Sequence, residues 1–459
     1  MVQKQSRPLK RRDFLAGVTT LPLLGAGDHL VSDESLTGDN ATDHREETLR
    51  LGLVGFGKRG EELCHEVLHS GQNTEIIAVC EVCNERLETG VAAAGTRATA
   101  HVNYQELLDN KHIDAVIIAT PDHWHARMAM DAAGRGKHIY LEAPMTRTAE
   151  EAKALKEAVR SSGVIFQLGH QGRQRDLNLK ARELLAGSIL GQITLIEATT
   201  NRNDPEGGWQ SGKSGGALSE NIAWELFQGP AAGNRPFTPE RYHYWRNYWD
   251  YGNGMSGIPL CNEFDAVNSI MDLGIPESAI ATGGLYYHRD GREVPDVFQA
   301  AFEYPDKELC LLYSGTLANG IPRGTLFMGR DASLELGRIL SVWVEEKSLK
   351  YKSRIQAGII DPSAPFVNYM QDQNRVDGIS SATSKYYADR GLVSTYREGK
   401  EVSTTRLHLA EWLNAIRGKR ECSCNIDRGF EVAVAAHMAT LSYREGRKMK
   451  WDPETETIH

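Results

Sequence analysis

The sequence predicts an α/β chain in two parts: an N-terminal doubly wound parallel sheet, then an α+β domain on a large, mostly antiparallel open sheet. Three observations predict it. A short apolar strand runs straight into Gly55-Phe56-Gly57-Lys58-Arg59-Gly60 and then into a helix-like stretch. From residue 48 to 168 strand-like and helix-like segments alternate, the signature of parallel strands joined by crossover helices. Beyond residue 169 that rhythm gives way to longer runs of period two, which read as antiparallel strands with one covered face.

The first strand, Leu49 to Val54, ends on the glycine turn. Gly55 permits the tight turn, Gly57 lets the backbone approach a phosphate, and Gly60 allows the helix to pack closely on the strand. That helix sets Leu63 with Val67 and Cys64 with Leu68 on one face, and its free N–H groups favour an anion. A second apolar strand, Ile76 to Cys80, leads to Glu81, about 20 residues past the last glycine, a spacing that suits a carboxylate on ribose hydroxyls. A carboxylate there repels a 2′-phosphate, so the expected cofactor is NAD, held by Gly55, Phe56, Gly57, Lys58, Arg59, Gly60 and Glu81. Asp114 to Ala119 and Lys137 to Glu142 are buried strands, and Val164 to Leu168 closes the set. Ligands bind outside the carboxyl ends of such strands, which adds Thr120, Pro121, His123, Glu142 and Ala143 to the expected cofactor residues.

After Gly169 a helix over Leu177 to Leu185 leads into a strand from Gln192 to Thr200, then a long aromatic and glycine-rich excursion to Gly254. Asp296 to Tyr304, Glu308 to Thr316 and Ser333 to Leu336 alternate as strands. The end of the chain returns to helix, with Leu409, Trp412, Leu413 and Ile416 spaced for one face, then Val432 to Tyr443.

Lys10, Arg11, Arg12, Asp13, Phe14 and Leu15, an apolar run from Ala16 to Leu24 and the small residues Gly25 to Gly27 read as a twin-arginine export signal. The domain plan is therefore a signal over 1–28, a polar linker over 29–47, a nucleotide domain over 48–168 and a substrate and oligomerisation domain over 169–459. The apolar run is too short for a membrane span, and no later segment approaches the length of one. A periplasmic or otherwise extracytoplasmic protein is expected, carrying its NAD through export in the folded state. At 459 residues and 41% hydrophobic content the chain can fill two cores, while a net charge of -9 without a basic stripe speaks against nucleic acid as a partner. Seven cysteines include the close pairs Cys80/Cys83 and Cys422/Cys424, but neither comes with a second pair at zinc spacing. No metal is expected, and a single disulfide stays open.

With the glycine turn, Glu81, Ala119-Thr120-Pro121-Asp122-His123-Trp124-His125 and Tyr140-Leu141-Glu142-Ala143-Pro144-Met145-Thr146 in that order, the chain resembles the Gfo/Idh/MocA family, named for glucose-fructose oxidoreductase and inositol dehydrogenase. Gly169-His170-Gln171, Tyr248-Trp249-Asp250-Tyr251-Gly252, Gly291-Arg292-Glu293-Val294-Pro295-Asp296 and Cys424-Asn425-Ile426-Asp427 look like its exported, sugar-related branch. The resemblance implies a Rossmann domain plus an antiparallel α/β domain, hydride exchange at a carbon of a sugar, cyclitol or related polyol, and a homo-oligomer through the open sheet. It also implies a Lys in Glu-Lys-Pro and an Asp and a His four residues apart. Here those positions carry Ala143, Ile258 and Asn262.

Among the remaining polar groups, His170 and His123 are the candidate acid/base residues, because imidazole titrates near neutral pH. His170, Asn262, Arg241, Tyr244 and Trp245 are the candidate substrate residues, since aromatic faces stack on sugar C–H faces while Arg and Asn take hydroxyls. A His-Trp-His turn also reads as a packed corner, and the aromatic run from Arg241 to Trp249 equally reads as a loop packed on the sheet or on a sister subunit. Glu263 and Asp265 are displaced carboxylates near the expected site, although a residue one step from Asn262 points about 100° away on a helix. An NAD-dependent oxidoreductase of small carbohydrates or polyols is the leading reading. A silent NAD- and carbohydrate-binding protein, and a redox-neutral NAD-dependent glycoside-processing enzyme, are the alternatives.

Overall fold

The computed structural model describes residues 47–203, 219–229, 235–369, 395–398 and 400–459. The expected export signal and nearly all of the linker lie outside the described residues. β1 (Leu49–Val54), β2 (Thr74–Cys80), β3 (Thr99–His101), β4 (Ala115–Ile118), β5 (His138–Leu141) and β6 (Phe166–Leu168) form one sheet in the order β3-β2-β1-β4-β5-β6. Every pairing in it is parallel. The order reverses between β1 and β4, which opens a crevice at the carboxyl ends of those strands.

Helices on both faces explain why β4 and the carboxyl-terminal halves of β1 and β5 are buried throughout. On one face Leu63 and Val67 of the helix Lys58–Leu68 pack with Leu51, Leu53 and Tyr140. The helix Thr404–Ile416 joins the same cluster through Leu409, Trp412 and Leu413, with Trp412 fully buried against the Tyr140 ring at 5.6 Å. Its apolar face was legible as a stripe; its partner, a sheet some 250 residues earlier, is set by the tertiary fold.

The second sheet holds ten strands and is antiparallel except where β7 (Ile193–Asn201) runs alongside β10 (Leu309–Thr316). β8 (Ser278–Gly284) and β9 (Val297–Tyr304) continue it on one side, and β11 (Thr325–Gly329), β12 (Ala332–Leu336), β13 (Leu340–Val344) and β14 (Val367–Tyr369) on the other. Strict alternation of buried and half-buried residues along β10 shows one covered face. The helices Ile258–Met271 and Ile426–Glu445 cover it, with Phe264 edge-on to Phe302 at 5.4 Å. Ile280 and Trp343 stay outward. All seven cysteines are free thiols, which removes the disulfide left open by the sequence.

Candidate active site

The glycine turn is fixed by backbone contacts. Gly55 has φ +89°, and a Cβ on it would lie 2.7 Å from the Ala119 carbonyl oxygen. A Cβ on Gly60 would lie 2.0 Å from the Gly55 carbonyl oxygen, so only glycine lets helix and turn close up. Gly57 differs: its φ is -73°, and an added Cβ would meet nothing nearer than the Arg86 side chain at 3.9 Å. No packing or backbone strain in the protein demands glycine at 57. The space before it belongs to the cleft, which is what close approach of a diphosphate requires. The residues present therefore fit a dinucleotide.

Glu81 is buried and does part of its work on the protein itself. Its Oε2 accepts the Phe56 N–H at 2.7 Å, and Oε1 accepts the N–H groups of Val82 at 2.8 Å and Cys83 at 3.1 Å. A carboxylate offers about four acceptor directions, so one remains for a ribose hydroxyl. Two expected cofactor residues take other tasks. The Phe56 ring is buried in the core beneath Gly90, and its N–H is committed to Glu81 rather than to a phosphate. Arg59 turns from the turn to Glu142, donating from Nε to Oε1 at 2.9 Å, and also pairs with Glu62 at 2.7 Å. Arg86, which spacing did not single out, lines the cleft near Gly57 with its guanidinium 5.3 Å from the Tyr242 ring. Substituting Glu81→Ala should release the turn and weaken NAD by about tenfold while narrowing its margin over NADP, read by calorimetry.

From this turn a cleft of about 1250 Å³ runs past Thr120, Pro121, Glu142 and Ala143 to Asn262, Tyr244 and Trp245. Asp122 also lines it. It is 3% exposed at the start of the helix Asp122–Gly134, and burial pushes its carboxyl up to about 7 although Arg246, Arg147 and backbone N–H groups, including that of Asn253, pull the other way. Sequence reasoning passed over Asp122 in favour of the neighbouring histidines, because burial of a carboxyl by residues more than a hundred positions away leaves no local signal.

Both expected imidazole bases are buried, and of the two His123 lines the cleft while His170 does not. His123 is packed among Trp124, Phe227 and Tyr251, with Nε2 bonded to the Phe227 carbonyl at 2.8 Å. Burial pushes it down to about 4, too weak a base for neutral pH. The turn is thus a packed corner, and His125 completes it by contacting the Pro144 and Thr120 carbonyls at 2.7 Å and 2.9 Å. His170 is 2% exposed, lies behind Asn262 and contacts Asn262 Oδ1 through Nδ1 at 3.3 Å. Among the described residues its Nε2 has no hydrogen-bond partner, and burial lowers its pKa. With Nδ1–H donated, Asn262 is left to present its amide N–H groups to the cleft. The contact with His170 fixes which way the Asn262 amide points.

The remaining candidates sort by contact. Arg241 is taken by Asp250 at 3.1 Å and Glu293 at 3.5 Å and stacks on Tyr248, so it braces the loop and does not line the cleft. Arg246, five residues on, faces the cleft instead. Glu263 does not line the cleft, and burial raises its pKa. Asp265 is locked to Arg173 at 2.6 Å in a buried pair.

Residues 49–170 match the model of an oxidoreductase family, Gfo/Idh/MocA, with an NAD-binding Rossmann fold. The chain is 31% identical over 152 residues to an oxidoreductase of Formosa agariphila, a match covering 33% of this chain and 47% of that protein. It is 26% identical over 246 residues to levoglucosan dehydrogenase of Pseudarthrobacter phenanthrenivorans, covering 52% of this chain and 57% of the relative. The matches thus span about half the length of these curated relatives. A solved levoglucosan dehydrogenase in complex with NADH and levoglucosan shares the fold with a TM-score of 0.63 at 17% identity, over 88% of this chain and 99% of that one. With the glycine turn and Glu81 in place, residues 49–170 are similar to the NAD-binding Rossmann domain of the Gfo/Idh/MocA oxidoreductase family, and the two sheets share the fold of the solved levoglucosan dehydrogenase.

Proposed function

We propose that this protein is an NAD-dependent oxidoreductase that moves a hydride between a sugar, cyclitol or glycoside and the nicotinamide, using proton-handling residues other than the Lys, Asp and His its family resemblance implies. One observation carries the reading: a single cleft joins the glycine turn and Glu81 to Asp122, Asn262 and Trp245. Bound NAD would supply the hydride acceptor. Gly57 and the start of the following helix hold the diphosphate, and Glu81 takes the ribose. Asn262 donates its amide to a sugar hydroxyl, while the Trp245 face stacks on the sugar ring. Asp122, poised near 7, accepts the hydroxyl proton at its carboxylate oxygen as the carbonyl forms. Ala143 leaves room beside Glu142 where the resemblance implies an ammonium.

A panel of sugars and cyclitols, followed by nicotinamide absorbance and by product chromatography, tests this. Net NADH formation supports the proposal. Cleaved product without net NADH supports the redox-neutral alternative. Neither product nor NADH, from protein that holds NAD, supports the silent reading, which the departures at Ala143, Ile258 and Asn262 favour.

Export belongs to the same proposal. Residues 1–47 fused to a reporter should carry it to the periplasm, and Arg11→Lys with Arg12→Lys should hold it in the cytoplasm. Cytoplasmic retention of the unaltered fusion contradicts the proposal. The outward side of the open sheet, with Ile280 and Trp343, would serve as the surface of a homo-oligomer, which light scattering of the purified chain would reveal as a mass above that of one protomer.

A further inference from the structure

Arg246 faces the cleft, and among the described residues no counter-ion pairs with it. Its guanidinium lies 4.1 Å from the Trp245 ring centroid, and among the described residues it makes no ion pair within 4.0 Å and no hydrogen bond. The packing that places it is specific. A Cβ on Gly252 would sit 3.1 Å from Asp122 Oδ2 and 3.2 Å from the Trp245 ring, so the missing side chain lets carboxyl and indole close together beneath the arginine.

Two carboxyls act on Arg246 from a distance, and neither neutralises it. Glu142 Oε1 is held by Arg59 at 2.9 Å. Asp122 is buried, pushed up to about 7 and bonded to backbone N–H, so near neutral pH it carries only part of a charge. Arg202, which also lines the cleft, adds like charge. Burial accordingly lowers the Arg246 pKa. A half-buried guanidinium facing a cleft can take an anion, and its planar fork suits a carboxylate or a phosphate bidentately.

We propose that Arg246 anchors an acidic group on the substrate, so that the cleft takes anionic sugars: a sugar acid through its carboxylate, or a sugar phosphate through its ester. This rests on the reading that the cleft holds a sugar beside NAD, and it narrows the substrate class.

Calorimetry on the full chain, first with NAD+ alone and then with D-glucuronate, D-glucose 6-phosphate and D-glucose, each with and without NAD+, keeps the two readings apart. Failure to bind NAD+ counts against the nucleotide reading, and the titrations without NAD+ still test the arginine. At least one acid is expected to bind about tenfold or more tightly than D-glucose, with affinity falling as salt rises. Which acid binds distinguishes carboxylate from phosphate. Arg246→Gln should bring the acid down to the level of D-glucose with an unchanged thermal midpoint, and Arg246→Lys should restore part of the gain. If the glutamine variant does not fold, the lysine variant and the salt dependence of the parent carry the test. The proposal is overturned if neither acid binds, if D-glucose binds as tightly as both, or if Arg246→Gln leaves acid affinity unaltered.

Discussion

Gly60→Ala is expected to abolish NAD binding, with affinity falling by on the order of 100-fold or more and a lower thermal midpoint. The added methyl would sit 2.0 Å from the Gly55 carbonyl oxygen, and that neighbour is backbone, with no rotamer by which to yield. Gly55 cannot retreat either, because its own Cβ position is 2.7 Å from the Ala119 carbonyl oxygen at the end of the next strand. The turn must open, and the N–H groups that face the diphosphate lose their arrangement. Gly57→Ala separates this from a general loss of fold. Its methyl meets only Arg86 at 3.9 Å, so the variant should keep its thermal midpoint yet bind NAD more weakly, because the methyl enters the space of the ligand alone. A Gly57→Ala protein with parental NAD affinity would mean that the diphosphate lies elsewhere.

Asp122→Asn is expected to lower turnover by on the order of 10² to 10⁴ on whichever panel sugar the parent oxidises, the usual loss on removing a general base. The parent's kcat/KM should climb through about pH 7, where the carboxyl ionises, and level off above it; the variant should lose that limb. Stability should move the opposite way. The carboxyl has a pKa of 3.8 when unfolded and about 7 in the native protein, so the native state binds the extra proton between those values. The stability this contributes is present below 3.8 and is lost as pH rises through about 7. Removing the charge should therefore stabilise the protein at about pH 8, on the order of a few kcal/mol, and much less at about pH 4. Chemical denaturation of both proteins at the two pH values checks the sign. A residue that stabilises when neutralised and is needed for turnover fits a functional site; equal activity in the variant would remove Asp122 from the chemistry.

The parallel sheet was legible because each of its parts has a local cause. Leu49 to Val54 is continuous because it is covered on both faces, Gly55 and Gly60 answer to backbone contacts within a few residues, and Glu81 stands at the end of the neighbouring strand. The second sheet was legible as alternation along β9 and β10, while its strand order rests on contacts far apart in the chain. The site divided along the same line. Thr120, Glu142, Ala143, Tyr244 and Trp245 line the cleft from positions after strands or in the aromatic loop, and Asn262 lines it from the helix Ile258–Met271, a position singled out by the family resemblance. Arg241 and Arg246 could not be told apart, because a loop has no period to say which arginine faces inward. Asp250 and Glu293 decide that Arg241 is structural. His123 and His170 drew attention by residue type, yet burial lowers the pKa of both. Asp122 carried no such mark, since its poise comes from desolvation by residues brought from the second domain.

Titration of the mature chain, first stripped of any co-purified nucleotide, with NAD+ and, separately, NADP+ in a calorimeter tests the central claim most directly, that the glycine turn and Glu81 hold a dinucleotide. The expected result is saturable binding of one NAD+ per chain, with NADP+ at least about tenfold weaker because the Glu81 carboxylate meets its extra phosphate. No uptake of NAD+, or NADP+ bound as tightly through Arg86, would contradict it.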